Sequence, residues 1–252
     1  MLRIAAVIIL IVLVIGGAYF LLPYQQPQQP TNLTFSIGLP KSIVAGQSST
    51  GTVIVENKGA DASGVTAVVV SDAISASSSP VDVRHGSSSS IPITITAKDV
   101  PDGAYAVVVY LQYSNGTSTS KTDSKGTSIY LLPKLTLTTP RFEADLFHPF
   151  GKNSIGTNDS TTVLFQVQSA SSSVIYSGMY ASATLDLNVP GLSIVPASSA
   201  IGPIGPNGRT GDHRFKIISN GAPPGTYNLR ISLYSKDNQL VMQETLQVTV
   251  TG

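Results

Sequence analysis

Few residues in this sequence combine the types and spacings that catalysis or metal binding requires. Ser118 and Lys121 have the Ser-x-x-Lys spacing in which a lysine can activate a serine, but the Ser-Asp-Asn and Lys-Thr-Gly elements that accompany this motif do not occur. The three histidines, His85, His148 and His213, are far apart in the sequence. There is no cysteine, which excludes thiolate nucleophiles, disulfides and blue-copper sites. We therefore predict no catalytic residue, no metal site, no cofactor and no small-molecule substrate.

The acidic residues offer little more chemistry than the histidines. Asp99 and Asp102 are close enough in sequence to contribute to a calcium loop, but further acidic ligands are missing around them. The three glutamates, Glu56, Glu143 and Glu244, fall in different predicted strands, so a carboxylate pair for glycoside hydrolysis is not expected. We interpret the Asp99–Asp102 stretch as a turn, and we do not expect the protein to be an enzyme.

The composition points away from several other classes of protein. Of the 252 residues, 12% are charged, which is about half of the fraction usual in globular domains. Serine (33 residues) and threonine (23 residues) supply polar side chains instead. An apolar fraction of 42% argues against disorder, and the balance of 15 basic against 14 acidic residues gives no electrostatic footprint for nucleic acid.

The N-terminal segment has the length and composition of a membrane span. Nineteen residues from Ile4 to Leu22 carry no charge, and as a helix they would extend about 28 Å, close to the thickness of a hydrocarbon core. Arg3 precedes the segment, and the next charge after it is Lys41. The positive-inside rule then places the N-terminus in the cytoplasm and the bulk of the chain outside a cell membrane.

Two alternatives to a membrane anchor stay open. Gly16, Gly17 and Ala18 form a passable signal-peptide cleavage site, and a cleaved leader would make the protein secreted. A type IV pilin leader is the second alternative, although the apolar run has no early glutamate. Residues 23–31 contain three prolines and several glutamines, which favours a semi-rigid stalk of about 28 Å in the polyproline II conformation.

From Asn32 onward, short runs of β-branched and aromatic residues alternate with clusters of Gly, Pro, Asn and Ser, which predicts an all-β fold. The strands predicted in the first run are 33–39, 51–57, 65–71, 81–84, 91–96, 104–113 and 118–132. Those predicted in the second run are 135–139, 142–146, 161–169, 181–188, 192–195, 213–219, 226–235 and 239–251. About seven strands in a hundred residues are typical of an immunoglobulin-like sandwich.

The second run repeats the first. A Pro-x-Gly-x-Tyr sequence ends at Tyr105 and again at Tyr227, each at the start of a long strand that turns back at Asn115-Gly116 or Asp237-Asn238. Asn-Gly favours the type I′ turn of a hairpin. We expect the two tyrosines either to make corner-type hydrogen bonds, as in immunoglobulin-like folds, or to be core aromatics with hydrated hydroxyls.

The first run also resembles a known group of modules. Asn57-x-Gly59 after the second predicted strand, together with Pro101-x-Gly103-x-Tyr105, is similar to the CARDB and S-layer-like immunoglobulin modules of prokaryotic, especially archaeal, surface proteins. The second run departs from this pattern, with Val-Gln-Ser at 167–169 in place of Asn-x-Gly. The resemblance implies an extracellular spacer, adhesive or assembly unit and not a particular activity.

We therefore predict an N-terminal transmembrane helix (1–22), a stalk (23–31) and two tandem immunoglobulin-like β-sandwiches (32–133 and 134–252). Two kinds of surface site are predicted. The Asn-x-Ser/Thr sequences make this a candidate glycoprotein, with candidate asparagines at Asn32, Asn115 and Asn158. The aromatic residues before the Gly/Asn-rich loop at 151–160 predict packing between the repeats or, alternatively, a partner-binding patch; they are Phe142, Phe147 and Phe150.

The function expected from these features is structural and non-catalytic. We predict a membrane-anchored scaffold or adhesive protein of the cell envelope, associated with an S-layer or with other envelope proteins. One alternative is a subunit of a pilus-like filament that assembles after leader cleavage, with a segment such as 34–39 adding as a strand to a neighbouring subunit. Another alternative is an accessory subunit of a membrane enzyme or motor.

Overall fold

The structure is a computed structural model that describes residues 30–115, 118–144 and 151–252. The regular secondary structure of these residues consists of β-strands alone, so the all-β prediction is confirmed for them. No helix in this part of the chain is long and apolar enough to cross a membrane. The predicted span from Ile4 to Leu22 lies outside the described residues.

The N-terminal half of the chain (residues 30–133) contains ten strands. They are β1 (Leu33–Gly38), β2 (Ser42–Val44), β3 (Ser48–Asn57), β4 (Ala62–Val70), β5 (Ile74–Ser78), β6 (Val81–Val83), β7 (Ser88–Ala97), β8 (Gly103–Asn115), β9 (Ser118–Lys121) and β10 (Lys125–Leu132). Apolar and polar side chains alternate along them: in β3, Val53 and Val55 are buried while Ile54 and Glu56 are exposed. This alternation fixes which face of each strand meets the core.

Two sheets are formed by these strands. One has the order β1-β3-β7-β5, and the other has the order β2-β10-β8-β4-β6, with β9 also paired to β8. Strand β2 runs parallel to β10, with Ile43 opposite Leu131, whereas the neighbouring pairs are antiparallel. In immunoglobulin nomenclature the first sheet is A-B-E-D, and the second contains G-F-C. This is the strand order of an immunoglobulin-like sandwich.

The C-terminal half (residues 134–252) contains the other eleven strands. They are β11 (Leu135–Leu137), β12 (Arg141–Phe142), β13 (Ser154–Gly156), β14 (Ser160–Phe165), β15 (Val167–Ser169), β16 (Tyr180–Leu185), β17 (Leu192–Val195), β18 (Ser198–Ala200), β19 (His213–Ser219), β20 (Gly225–Tyr234) and β21 (Leu240–Thr251).

The sheets of the C-terminal half reproduce those of the N-terminal half. Their orders are β12-β14-β19-β17 and β13-β21-β20-β16-β18, again A-B-E-D and a sheet containing G-F-C. Strand β13 runs parallel to β21, as β2 does to β10. The pair β11–β15 extends the A–B pairing, with Leu135 opposite Ser169 where the N-terminal half has Leu33 opposite Asn57. The repeat seen in the sequence is therefore a repeat of topology and register.

Each half encloses a hydrophobic core of its own. Fully buried residues of the first core include Val53, Ile93 and Leu111. The second core contains Phe165 and Phe215, whose rings stack with centroids 5.4 Å apart. Burying each such side chain contributes about 1.5–3 kcal/mol, so the apolar positions of the two repeats supply the main stabilisation of each half.

Two strands that we predicted as continuous are interrupted, so those predictions were wrong in detail. Residues 118–132 form β9 and β10, because Thr122 leaves the regular ladder and bonds to Leu111 through both its amide and its hydroxyl. Residues 161–169 form β14 and β15, separated at Gln166, whose amide donates to Thr138 Oγ1 at 2.9 Å. In both cases a threonine hydroxyl replaces a backbone hydrogen-bonding partner at the break.

Candidate interaction surfaces

The two repeated tyrosines make the same hydrogen bond. Tyr105 donates from its hydroxyl to the Pro101 carbonyl at 2.8 Å, and Tyr227 donates to the Pro223 carbonyl at 2.8 Å. Each bond spans four residues and ties the start of the F strand to the preceding turn. The prediction of corner-type hydrogen bonds is confirmed at both positions, and they identify the Pro-x-Gly-x-Tyr sequence as a structural element.

Replacing either corner tyrosine should have a moderate and similar effect. We expect Tyr105→Phe and Tyr227→Phe each to lower the free energy of unfolding by about 1 kcal/mol, because each loses one hydrogen bond and keeps the ring. Urea denaturation followed by circular dichroism measures this. Tyr234→Phe is the matched control, since the Tyr234 hydroxyl makes no hydrogen bond to any described residue. Equal effects at Tyr234 and Tyr227 would contradict the corner assignment.

The side chain of Asn57 forms several hydrogen bonds to the backbone at the end of β3. Its side chain is 1% exposed, and its amide nitrogen donates to the carbonyls of Ala60 at 2.8 Å and Val83 at 2.9 Å. Its side-chain oxygen accepts the Gly59 amide at 3.0 Å. A Cβ at Gly59 would lie 2.2 Å from the Pro30 carbonyl oxygen, so only glycine fits there. The Asn-x-Gly sequence thus fixes the chain where it enters the first sandwich.

The C-terminal half uses serines at the equivalent positions. Ser169 occupies the register position of Asn57, and its hydroxyl accepts the Ser171 amide at 3.2 Å. Ser171, which corresponds to Gly59, is fully buried and accepts the Val174 amide at 2.9 Å. At 167–169 the C-terminal half therefore has a serine in place of the asparagine, but it keeps the hydrogen bond from the backbone amide of the residue at the Gly59 position.

Ser171 also belongs to a polar junction between the two halves. Its hydroxyl donates to Asp99 Oδ2 at 3.0 Å, and the Ser172 amide reaches the same oxygen at 3.2 Å. Lys236, in the β20–β21 turn, donates to Asp102 Oδ2 at 3.1 Å and to the Asp102 carbonyl at 2.6 Å. The Asp99–Asp102 turn of the N-terminal half is therefore held by two segments of the C-terminal half.

Tyr130 supplies a further contact across this junction. Its hydroxyl donates to Asp237 Oδ2 at 2.7 Å and lies 3.2 Å from Ser235 Oγ. In addition, the Lys134 amide, immediately after the first sandwich, donates to the Tyr176 hydroxyl at 3.0 Å. These contacts, together with those of Asp99 and Asp102, define what we call the junction.

The junction determines the charge states of its members. Burial raises the pKa of Tyr130, and the Tyr130 hydrogen bond lowers the pKa of Asp237. Burial acts to lower the pKa of Lys236, but its hydrogen bond and attraction to Asp102 outweigh burial, so that pKa is raised. The folded protein therefore favours a neutral tyrosine, an ionised aspartate and an ammonium group at this place.

These pKa shifts predict a dependence of stability on pH. Above the ordinary tyrosine pKa of 10.0, Tyr130 ionises first in the unfolded chain, so its contribution is lost as pH rises through its raised folded pKa. Below 3.8, the contribution of Asp237 is lost as pH falls through its lowered folded pKa. We expect the melting temperature of Tyr130→Phe to fall less steeply than that of the wild type as the pH rises above 10.0. Parallel slopes would contradict this assignment.

The residues that were candidates for catalysis or metal binding make structural contacts or lie apart from one another. Ser118 and Lys121 lie three apart on strand β9, so their side chains point to opposite faces and cannot cooperate. His85 Nδ1 is 2.7 Å from the Gly59 carbonyl, and His213 stacks on Phe165. The described residues contain no group of three or more His, Cys, Asp or Glu that could hold a metal ion. The ammonium group of Lys236 occupies the place beside Asp102 where the calcium alternative would need a cation.

Two of the three predicted glycosylation sites are at exposed positions. Asn32 is exposed just before β1, and Asn158 is exposed in the turn between β13 and β14. Asn115 ends β8, next to residues 116–117, which are outside the described residues. Attachment of glycans at these positions stays a prediction.

The predicted aromatic patch is described in part. Phe142 is half-buried and packs against the core of the C-terminal half, where its backbone lies against Gly151. This differs from the packing between repeats that we expected, because β12 places Phe142 beside Val163 of its own half. His148, Phe147 and Phe150 lie outside the described residues. A partner-binding patch at these positions stays a prediction.

The outer face of the A-B-E-D sheet in the N-terminal half is covered by hydroxyl groups. Its outward side chains alternate with the core residues of β1, β3, β5 and β7. The serines and threonines among them are Thr34, Ser36, Ser48, Thr50, Thr52, Ser75, Ser77, Ser88, Ser90, Thr94 and Thr96. Glu56 is the charged residue of this face within the described strands. We call this surface the hydroxyl face.

The strand that we suggested for addition to a neighbouring subunit is already paired. Residues Leu33–Gly38 form β1 and pair with β3 along their whole length, from Leu33 opposite Asn57 to Gly38 opposite Thr52. Because β1 is the edge strand of its sheet, its other side pairs with no strand among the described residues. Addition of this segment to the open edge of a neighbouring subunit stays a prediction.

These features define an immunoglobulin-like β-sandwich protein. No family model and no curated protein matches the chain. Among solved structures, red sea bream transglutaminase has 16% identity and a TM-score of 0.42 over 88% of this chain and 32% of that chain. A C-terminal 282-residue fragment of intimin, in complex with the intimin-binding domain of the translocated intimin receptor, has 14% identity and a TM-score of 0.39 over 87% of this chain and 64% of that chain. The strand order and the tyrosine corners of this chain identify its fold.

Proposed function

We propose that the protein is a membrane-anchored, non-catalytic scaffold of the cell envelope that presents two tandem immunoglobulin-like sandwiches (32–133 and 134–252) outside the cell. The observation that supports this proposal best is the order of segments along the chain. An uncharged nineteen-residue segment is followed by a proline-rich stalk and then by the first sandwich, whose strand β1 begins at Leu33. In this proposal the segment from Ile4 to Leu22 is the anchor and the sandwiches carry the interactions.

The junction supports the role of a spacer. A chain of two sandwiches joined by a flexible linker would hold its distal end at no fixed position. Here the linker around Lys134 is short, and Asp99, Asp102 and Tyr130 bond directly to the second sandwich. Such contacts favour one relative orientation, which suits a protein that holds a partner at a defined height above the membrane.

The hydroxyl face supports an extracellular location. A surface rich in serine and threonine is hydrated without depending on charge, so its hydration changes little with the pH and salt of the surroundings. Glycans attached to the exposed residues Asn32 and Asn158 would add further uncharged polar groups to the surface. We propose partners among envelope proteins, with S-layer components as the first candidates.

The anchor is tested by locating the native protein and its N-terminus. We expect the chain to stay with membranes after carbonate washing, to begin at or near Met1 and to be digested by protease added outside intact cells. Deletion of residues 4–22 should release it from the membrane fraction. A native N-terminus near Tyr19, together with recovery from the medium, would contradict the anchor and favour the cleaved form.

A further inference from the structure

The outer face of the A-B-E-D sheet in the C-terminal half is cationic. Arg141 on β12 lies opposite Leu164 on β14, which lies opposite Arg214 on β19. Two strand spacings therefore separate the arginines, about 10 Å between their Cα atoms. Lys216 lies two residues beyond Arg214 on the same face. All three side chains are exposed.

This charge distinguishes the face from its counterpart in the N-terminal half. The equivalent sheet there carries the hydroxyl face, whose outward residues on β1, β3, β5 and β7 include no lysine or arginine. Only 12% of the residues in the whole chain are charged. A cluster of cations in such a sequence is therefore a local feature of the second repeat and not a general property of its surface.

A cleft of about 190 Å³ opens at one end of the cationic face. Arg141 and Arg209 line it, and the hydroxyl-bearing residues Thr138 and Thr139 contribute polar groups beside them. Leu164 and Phe165 also line the cleft, and both side chains are buried. The cleft is smaller than the ~300–1,000 Å³ of sites for drug-sized ligands, so it suits one sugar ring or one acidic substituent.

The acidic groups near the cationic face neutralise only part of its positive charge. Glu143 is 3.4 Å from Arg214, and Asp212 accepts a hydrogen bond from Gln166 at 2.8 Å. The side chains of Arg141 and Lys216 make no hydrogen bond or ion pair within the described residues. Four cations therefore face two carboxylates, and two of the cations have no partner in the described chain.

We propose that the cationic face, consisting of Arg141, Arg209, Arg214, Lys216 and the cleft, binds an acidic polysaccharide through its carboxylate or sulfate groups. Guanidinium groups bind such anions with two parallel hydrogen bonds, and the spacing of Arg141 and Arg214 allows successive acidic residues of a polymer to be engaged. The inference rests on the proposed location outside the cell, where envelope polymers would be accessible. The stalk and first sandwich lie between the anchor and this face, which favours a polymer over lipid headgroups.

The test measures binding of the full chain in detergent to immobilised polygalacturonate and dextran sulfate, with neutral dextran as the polymer control. We expect binding to both acidic polymers, weakening as salt rises, and no binding to neutral dextran. Arg141→Gln combined with Lys216→Gln should weaken binding about tenfold, because the contacts that are lost contribute only part of the total binding free energy.

A matched double variant controls for net charge. Lys41→Gln with Lys58→Gln removes two exposed cations from the N-terminal half and should change binding less than about twofold. Equal weakening by both double variants, or no binding to either acidic polymer, overturns the proposal. Equally strong binding to phosphatidylglycerol vesicles that depends on Arg141 and Lys216 also overturns it, in favour of lipid headgroups. Since native fractionation is measured separately, failure of the polymer assay leaves the anchored-scaffold proposal standing.

Discussion

Asn57→Ala should lower the free energy of unfolding by about 3 kcal/mol, because it leaves several buried backbone groups without a partner. The carbonyls of Ala60 and Val83 would lose their donor, and the Gly59 amide would lose its acceptor. Water cannot easily replace the side chain at a site that is 1% exposed. Urea denaturation of the full chain in detergent, followed by circular dichroism, measures the loss.

Ser169→Ala is the matched control for Asn57→Ala. Ser169 has the same register position in the second repeat, but its side chain makes one bond to the Ser171 amide. We expect it to cost about 1 kcal/mol, a third of the effect at Asn57. Asn57→Asp keeps the acceptor for Gly59 and removes the donor, so it should destabilise at least as much as alanine. An effect of Asn57→Ala no larger than that of Ser169→Ala would contradict the proposed role of the amide.

Lys236→Met should cost about 2 kcal/mol, because it leaves the carboxylate of Asp102 without its cation at the junction. Lys236 is 42% exposed but the side chain of Asp102 is only 8% exposed, so the penalty falls mainly on the aspartate. Methionine keeps most of the aliphatic stem and its packing beside Gly178. The same denaturation experiment measures the change.

A double-mutant cycle separates the ion pair from the loss of packing. If the Lys236–Asp102 contact is responsible, Asp102→Asn combined with Lys236→Met should cost less than the sum of the two single changes. Arg230→Met, which removes a cation paired with Asp186 at 2.6 Å outside the junction, is the control and should cost about 0.5 kcal/mol. Additive single effects would show that the pair does not couple the two halves.

The repeated strands and the corner tyrosines were predictable because local patterns determine them. The alternation of Val53 and Val55 with exposed neighbours sets the face of β3, and the turn before Tyr105 recurs before Tyr227. Strands 192–195 and 213–219 were predicted with the bounds that the structure has. The strands Ile74–Ser78, Ser154–Gly156 and Ser198–Ala200 were missed because each contains at most one β-branched residue. Strand Ser42–Val44 was missed as well.

The junction and the cationic face were not predictable from spacing. Asp102 and Lys236 are 134 residues apart, and their contact depends on how the second sandwich sits on the first. Arg141 and Arg214 come together only because β12 and β19 flank β14 in the sheet. Asp99 illustrates the same difficulty: its turn was correctly placed, while its bond to Ser171 required the orientation of both halves. Sequence patterns describe strands better than they describe contacts between sheets and sandwiches.

The parallel pairing of β2 with β10 has a mechanical consequence. Strand β1 precedes β2 and pairs with β3 in the other sheet, while β2 pairs with β10, the last strand of the N-terminal half. The N-terminal end of β2 and the C-terminal end of β10 lie at opposite ends of a parallel pair, so a pull between the two ends of this half that detaches β1 would next load the β2–β10 hydrogen bonds together. The pair β13–β21 repeats this arrangement in the second sandwich. In the proposed anchored scaffold, this pairing would resist extension of each half after its first strand had detached.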